Sequence, residues 1–198
     1  GEQAILDVVE RLEQGRPVTD VPNIGYRENG TCTRNPVRPF QDLDELPHKD
    51  FELFDFQRMI DAKNGWVGLM ATRGCPFRCS YCFNHRMVDL YRRDTGLSGS
   101  DLNYIRRHPP EYVEREIEYL LENYENIDTF IFDDDILTLD KDYLRELCER
   151  YERITDIPFV CNAHVKMFDA ERAEMLEEAG CRIVKFGLES GSERVRRE

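Results

Sequence analysis

Cys75-Pro-Phe-Arg-Cys79-Ser-Tyr-Cys82 gathers three of the chain's seven cysteines into eight residues. Thiolates spaced C-x-x-x-C-x-x-C along a loop can converge on one soft metal centre. Three ligands fall one short of four. An iron–sulfur cluster held this way leaves one iron open to an exogenous ligand, the condition for chemistry at the metal rather than electron carriage alone. The rival reading is a zinc site with His85 as fourth ligand, although zinc sites usually pair two C-x-x-C halves far apart in sequence. Cys148, Cys161 and Cys181 fall on apolar faces or beside strands and read as core packing, while Cys32 carries no signal. An odd total with one tight cluster argues for reduced thiols around a metal, not for paired disulfides.

Other residues with chemical potential are grouped. Asp133-Asp134-Asp135 is a run of carboxylates that suits a solvated strand end, a hard cation or a bound cofactor. Asn162-Ala163-His164 and Glu189-Ser190-Gly191-Ser192 are further polar clusters. Arg78, Arg86, Arg92, Arg93, Arg106 and Arg107 form a basic island around the cysteines. It reads either as compensation for cluster and carboxylate charge or as a site for an anionic partner.

The elements that must hold these groups follow a rhythm. Ala4, Ile5, Val8, Val9 and Leu12 share a helical face, with Gly15 placed to stop the helix. From Arg16 to about Asp61 periodicity vanishes, prolines punctuate the chain, and Asn29-Gly30 marks a hairpin turn. This stretch reads as a small hairpin followed by an extended connector. Strands are predicted at Trp66–Ala71, Thr129–Phe132, Pro158–Cys161 and Arg182–Gly187. Between them lie helices starting at Pro109-Pro110, at the N-cap Asp140 and at the N-cap Asp169, the last stopped by Gly180. Residues 83 to 108 read as a loop or broken helix. Strand and helix alternate at the pitch of βαβ units, so the fold class is α/β with a parallel sheet, open or closed into a barrel. In such sheets functional residues sit at the C-terminal strand ends, where the cysteine cluster, the three aspartates, Asn162-Ala163-His164 and Glu189-Ser190-Gly191-Ser192 fall.

The chain has 198 residues, of which 40% are hydrophobic and 11% aromatic, enough to bury a core. Forty acidic residues against 27 Lys+Arg give a charge of −13, which argues against nucleic acid or an anionic membrane as main partner. No apolar run approaches the ~20 residues of a membrane span. A cytoplasmic protein is expected.

Cys75 to Cys82 directly after a barrel-like first strand, with an aromatic before the last cysteine, closely resembles the radical S-adenosylmethionine (radical SAM) enzymes. Thr72-Arg73-Gly74-Cys75-Pro76 through Cys82-Phe83-Asn84-His85 is similar to the subgroup with an N-terminal cobalamin-binding domain. So are Phe132-Asp133-Asp134-Asp135-Ile136-Leu137-Thr138-Leu139-Asp140, Ala179-Gly180-Cys181 with Phe186-Gly187-Leu188-Glu189-Ser190-Gly191-Ser192, and the connector around Leu43–Pro47 and Leu53–Asp55. The resemblance implies a partial (βα) barrel of about four units over residues 63–198. Before it would come a hairpin and connector over 16–62 and the tail of a cobalamin-binding-like domain over 1–15, the chain being cut at both ends.

By the same resemblance Cys75, Cys79 and Cys82 would hold a 4Fe-4S cluster whose open iron chelates S-adenosylmethionine. Reductive cleavage would give a 5′-deoxyadenosyl radical that abstracts hydrogen from a small-molecule substrate. The backbone near Tyr81 would contact adenine, Asp134 and Asp135 the methionyl ammonium, and Glu189, Ser190 and Ser192 the ribose and methionyl side. His164 stands where the subgroup usually has Arg. A flavodoxin or ferredoxin would supply electrons, and cobalamin, held by a domain outside this chain, would serve methyl transfer or rearrangement. Two rivals follow from the same residues. One is a methylthiotransferase-like enzyme, which would need a second cysteine trio that Cys32 alone does not supply. The other is a non-catalytic zinc or iron–sulfur module.

Overall fold

The computed structural model describes residues 1–197. In chain order the helices are α1 (Glu2–Glu13), α2 (Phe56–Ala62), α3 (Asn84–Thr95), α4 (Pro110–Asn123), α5 (Lys141–Ile154), α6 (Ala170–Glu178) and α7 (Glu193–Arg197). The strands are β1 (Gly25–Glu28), β2 (Thr31–Arg34), β3 (Trp66–Leu69), β4 (Thr72–Arg73), β5 (Arg106–Arg107), β6 (Thr129–Phe132), β7 (Phe159–Ala163) and β8 (Cys181–Phe186). They divide into two compact units. One comprises Gly1–Glu45 with Pro76–Tyr104, the other Leu46–Cys75 with Ile105–Glu198.

In the first unit β1 and β2 pair antiparallel with Glu28 opposite Thr31, closed by Asn29 and Gly30 at positive φ as a two-residue hairpin turn requires. The connector that follows is extended but anchored. Phe40 stacks on Tyr91 of α3 with ring centroids 3.8 Å apart. Asp94 accepts from Arg34 at 2.6 Å and from the Val37 amide at 3.1 Å; these bonds, Arg34 first, lower its pKa to about 2. Arg38 reaches Asp7 on α1. Val21, Leu43 and Leu102 are fully buried beneath this network. α1 forms where its apolar periodicity places it, yet Ile5, Val9 and Leu12 remain exposed.

The second unit is built on a parallel sheet of order β3-β6-β7-β8. Strand order equals chain order, so there is no reversal of the kind that defines a doubly wound sheet. Same-handed crossovers without a reversal put every connecting helix on one face. The burial pattern agrees. Val67, Leu69, Phe130, Phe132, Phe159 and Cys161 point from the sheet into one core with Ile117 and Leu120 of α4, Leu144 and Tyr151 of α5, and Leu176 of α6. Their partners in alternation lie on the other face: Trp66, Gly68 and Met70 along β3 are exposed. Tyr151 packs edge-on against Phe130 and Phe159 and donates its hydroxyl to the Ile157 carbonyl at 2.7 Å. Asp140 caps α5 by accepting from the Asp142 and Tyr143 amides, and Asp169 caps α6 through the Arg172 amide, as their positions before the apolar runs predict.

Two readings are corrected. Residues 55–62 are not connector but the short helix α2, N-capped by Asp55 and pinned by the buried Ile60. Seven residues are too few for a period to show in sequence. Residues 84–95 form a continuous helix α3 ended by Gly96 at φ +73°. Its many arginines mask the apolar side, where Val88 is buried. Among the described residues no helix is long and apolar enough to cross a membrane.

His108 is a buried polar group of this unit, 3% exposed. Its backbone is satisfied: the amide donates to Ala71 O and the carbonyl accepts from the Tyr143 hydroxyl, both at 2.9 Å. Its ring stacks on Tyr112 at 4.0 Å, and His48 stacks on Tyr112 at 4.1 Å. Nδ1 has no hydrogen-bond partner among the described residues. Burial first, then the cations Arg73 and Lys49, push its pKa down to about 4. An unfolded chain takes up that proton near pH ~6.5, whereas the folded chain resists it until about pH 4. The stability contributed by neutral His108 is therefore complete above pH ~6.5 and is lost as pH falls toward 4. Urea unfolding of wild type and His108→Phe at pH 7.5 and 5 isolates this group. The wild type should lose about 2 kcal/mol more than the variant on acidification; equal losses would show that His108 does not titrate this way.

Candidate functional site

The chain leaves β3 through Met70 and Ala71, pairs briefly as β4 with β5, and turns at Gly74 into the cysteine loop. Gly74 has φ +103°, a conformation that L side chains rarely adopt, so a residue without Cβ is required there. What fixes this exit is Asp134, at the C-terminal end of β6. Its carboxylate is fully buried and accepts from the Ala71 amide at 3.3 Å and from the Thr72 amide. Burial raises its pKa to about 6 against the opposing pull of these donors. The Asp134 carbonyl in turn accepts from Asn162 Nδ2 of β7 at 2.8 Å, which continues the tie to a third strand.

Cys75, Cys79 and Cys82 are half-buried, lie on irregular chain and are in no disulfide. The Cys82 amide donates to Cys79 O at 3.0 Å, making a turn between the last two cysteines. The Asn84 amide, at the start of α3, donates to Cys82 Sγ at 3.5 Å. A helix N-terminus and an N–H aimed at sulfur both favour a thiolate ligand. Arg78, between the first and second cysteines, forks onto Asp89 of α3 at 3.2 and 3.1 Å. Among the described residues no set of three or more His, Cys, Asp or Glu side chains stands in metal-holding geometry. The donor set itself suits an iron–sulfur cluster: three thiols, none in a disulfide, each partly accessible, with an N–H already directed at one of them.

The other candidates of the larger unit follow the strands of its sheet. Asp135 is exposed whereas Asp134 is enclosed, so the two adjacent carboxylates have different surroundings. His164 follows β7, is half-buried, and accepts through Nδ1 from the Lys166 amide at 3.2 Å; burial, then Lys166, lowers its pKa. Glu189 is exposed in the left-handed region, φ +64°, and its carboxylate folds back over Gly187, where any Cβ would collide with it. Ser190 Oγ accepts from the Ser192 amide at 3.1 Å. Tyr81 is 65% exposed. Cys148 and Cys161 are buried, and Cys161 Sγ lies 3.9 Å from the half-buried Cys181 Sγ, as core packing predicts. Burial pushes the Cys148 thiol up to about 12. Within the basic island, Arg107 pairs with Asp140 and Arg78 with Asp89.

Lys185 was not singled out in the sequence reading and Asp133 only as part of the acidic run; both project from the open face of the sheet. Strand alternation identifies them: Phe132, Asp134 and Val184 face the core, so Asp133 and Lys185 face away.

Several known proteins resemble this chain. The profile described as the Radical SAM superfamily matches residues 69–198. An uncharacterized methyltransferase of Pyrococcus horikoshii, PH0819, is 30% identical over 98% of this chain and 40% of its own length. The anaerobic magnesium-protoporphyrin IX monomethyl ester cyclase of Rubrivivax gelatinosus is 28% identical over 98% of this chain and 34% of its own. Among solved structures, the radical S-adenosylmethionine methyltransferase TsrM of Kitasatospora setae, with tryptophan substrate and a SAM analog bound, superposes with a TM-score of 0.69 at 17% identity. That match covers 98% of this chain and 37% of TsrM. A second TsrM structure, with cobalamin and a [4Fe-4S] cluster bound, gives 0.66 at 19% identity over 95% of this chain and 37% of TsrM. The chain thus spans about two fifths or less of these proteins' lengths.

The enclosed and exposed aspartates are separable by mutation. Asp134→Ala leaves two amides at the β3 exit without their acceptor and should cost about 2–4 kcal/mol of stability, read as an earlier urea midpoint. Asp135→Ala should leave the midpoint within about 0.5 kcal/mol. Equal effects of the two would refute the distinction.

Proposed function

The chain belongs to the radical SAM superfamily, and we propose that the protein it forms part of cleaves S-adenosylmethionine reductively and uses the resulting radical on a small molecule, with cobalamin-dependent methyl transfer or rearrangement as the outcome. The observation that carries this reading is the three-cysteine loop leaving the first strand of an unreversed parallel sheet, at the strand end where such folds keep their chemistry. The cobalamin part is supported by the motifs after strands β6 and β8 and by the structural neighbour TsrM, which holds cobalamin and a [4Fe-4S] cluster. Residues 1–15 as the tail of a cobalamin-binding-like domain, 16–62 as connector and 63–198 as partial barrel are part of the same proposal.

Cys75, Cys79 and Cys82 would hold the 4Fe-4S cluster. When bound and reduced, it supplies one electron to S-adenosylmethionine, whose sulfonium cleaves to methionine and a 5′-deoxyadenosyl radical. The chain's own residues position and shield. The Asn84 amide holds the Cys82 sulfur, and Asp134 fixes the direction in which the chain enters the loop. Asp135, exposed and anionic, is the better placed of the two aspartates to receive the methionyl ammonium. The backbone at Tyr81 would lie along adenine. His164, Glu189, Ser190 and Ser192 would line the remainder of S-adenosylmethionine. The core beneath the sheet excludes water from one side, and the hard chemistry belongs to the cofactors. A flavodoxin or ferredoxin as electron donor, and a reducing cytoplasmic setting that keeps the cysteines out of disulfides, complete the proposal.

Anaerobic reconstitution of the full-length protein with iron and sulfide, followed by dithionite and S-adenosylmethionine, tests it. A brown protein that releases 5′-deoxyadenosine and methionine is expected, and Cys79→Ala should reduce both products to background. A colourless protein holding one zinc, or product formation equal in the Cys79→Ala control, would overturn the reading.

A further inference from the structure

Within the larger unit, a pocket of about 460 Å³ opens where residues 48–52 run along α4, which contributes Arg115, Glu116 and Tyr119. That volume falls in the range of small-molecule sites. The cofactor assignments use none of these residues. One wall is the end of an aromatic column. The ring of buried His108 stacks on Tyr112 with centroids 4.0 Å and planes 9° apart, and Tyr112 stacks on His48 at 4.1 Å and 7°. His48 is exposed and lines the pocket, and among the described residues no second ring covers its outer face. Phe51 and Tyr119, with ring centroids 5.9 Å apart, add further aromatic lining. The enclosed part of the lining is charged. Glu116 is only 4% exposed; its Oε1 accepts from Lys49 Nζ at 2.5 Å, whereas among the described residues Oε2 accepts nothing. Asp50 and Glu52 are exposed and likewise engage one oxygen each, with the Glu52 amide at 3.1 Å and the Tyr119 hydroxyl at 3.3 Å. Arg115 is exposed and makes no ion pair among the described residues.

We propose that this pocket binds a small aromatic amine, whose planar ring extends the His108–Tyr112–His48 column and whose ammonium takes the Glu116 carboxylate from Lys49. Flat rings gain most from a flat partner, and the outer face of His48 already has its inner face fixed by Tyr112. The Lys49–Glu116 pair shows that this carboxylate accepts an ammonium. Lys49 is 42% exposed on a long flexible stem, so it can turn to solvent when another ammonium replaces it. Three carboxylates line the pocket against two cations, one of them already engaged by Glu116, so a cation is attracted and an anion repelled. An aliphatic amine leaves His48 uncovered, and an aromatic acid brings its charge to the wrong partners. The ligand touches both residues 48–52 and α4, and so pins the connector to the helix. Nothing in this site depends on the radical SAM reading.

Calorimetric titration of the full-length protein tests it with four probes. Tryptamine and tyramine are aromatic amines; indolepropionate carries an aromatic ring with a carboxylate; cyclohexylethylamine carries the ammonium on a ring that cannot stack. At least one aromatic amine should bind about ten times or more as tightly as either of the last two. His48→Ala should weaken the aromatic amines about tenfold and leave cyclohexylethylamine unchanged. Glu116→Gln should weaken every amine about tenfold or more. Lys49→Met vacates the carboxylate and should instead tighten the amines. The unpaired Glu116 should also give this variant an earlier urea midpoint, which added tryptamine or tyramine restores toward wild type. An ion pair with a structural role alone would show the earlier midpoint without the rescue. The affinities should be the same with and without a reconstituted cluster, so failure of the radical SAM reading leaves this outcome intact. The proposal is overturned if neither aromatic amine binds, or if indolepropionate or cyclohexylethylamine binds as tightly. It is equally overturned if the His48 and Glu116 variants change nothing, if Lys49→Met loosens binding, or if S-adenosylhomocysteine displaces the amine.

Discussion

A single buried carboxylate determines how the sheet of the larger unit hands the chain to the cysteine loop. Asp134 is fully enclosed, yet it is an ionisable group on a strand end, and its only justification in energetic terms is the set of donors around it. The Ala71 and Thr72 amides belong to the segment that has just left β3, where ladder pairing with β6 has ended and backbone N–H groups need new acceptors. By supplying that acceptor the carboxylate converts a fraying strand end into a fixed departure angle. Gly74 then completes the turn toward Cys75 with a dihedral that other residues avoid. Through its own carbonyl and Asn162 the same residue also couples β7. Three strand ends are thus held by one residue, and the loop that carries the thiols starts from a defined place.

Unreversed strand order has a second consequence. With the connecting helices α4, α5 and α6 on one face, the core forms there from Leu69, Phe132, Phe159 and Cys161, and much of the opposite face, including Trp66, Gly68 and Met70 of β3, is left exposed. Residues on it can be polar without a desolvation penalty. Gly68, which would weaken an ordinary strand, is tolerable on this face because nothing needs to pack on it and a carboxylate occupies the space. The alternation of two along each strand thereby sorts the sequence into structural and available residues, one position apart.

Much of this arrangement was legible in the sequence. The four parallel strands, the N-caps Asp140 and Asp169, the hairpin at Asn29-Gly30 and the stop at Gly180 were readable because each has a local cause: a run of apolar residues, a side-chain acceptor, or a residue that tolerates positive φ. Helix α2 was not legible, since two turns held by one buried Ile60 and the cap Asp55 leave no periodic trace. In α3 the spacing was there, but the polar and charged residues around Val88 and Leu90 obscured it. The separate surroundings of Asp133, Asp134 and Asp135 were beyond the sequence as well, because they depend on where β3 ends relative to β6, a matter of register between segments sixty residues apart.

That aspartate triplet shows how one side-chain type acquires different properties within three residues. Asp134 points into the helix-covered face, where burial raises its pKa and backbone amides hold it; removing it unpairs the strand end. Asp133, one residue earlier, points to the open face and keeps its charge available above Gly68. Asp135 is past the strand and exposed to solvent. An acidic run at a strand end is therefore neither a metal site nor a solvated tail as a unit. The pleat assigns one carboxylate to architecture, and architecture in turn presents the other two on fixed backbone to whatever cationic group approaches that end of the sheet.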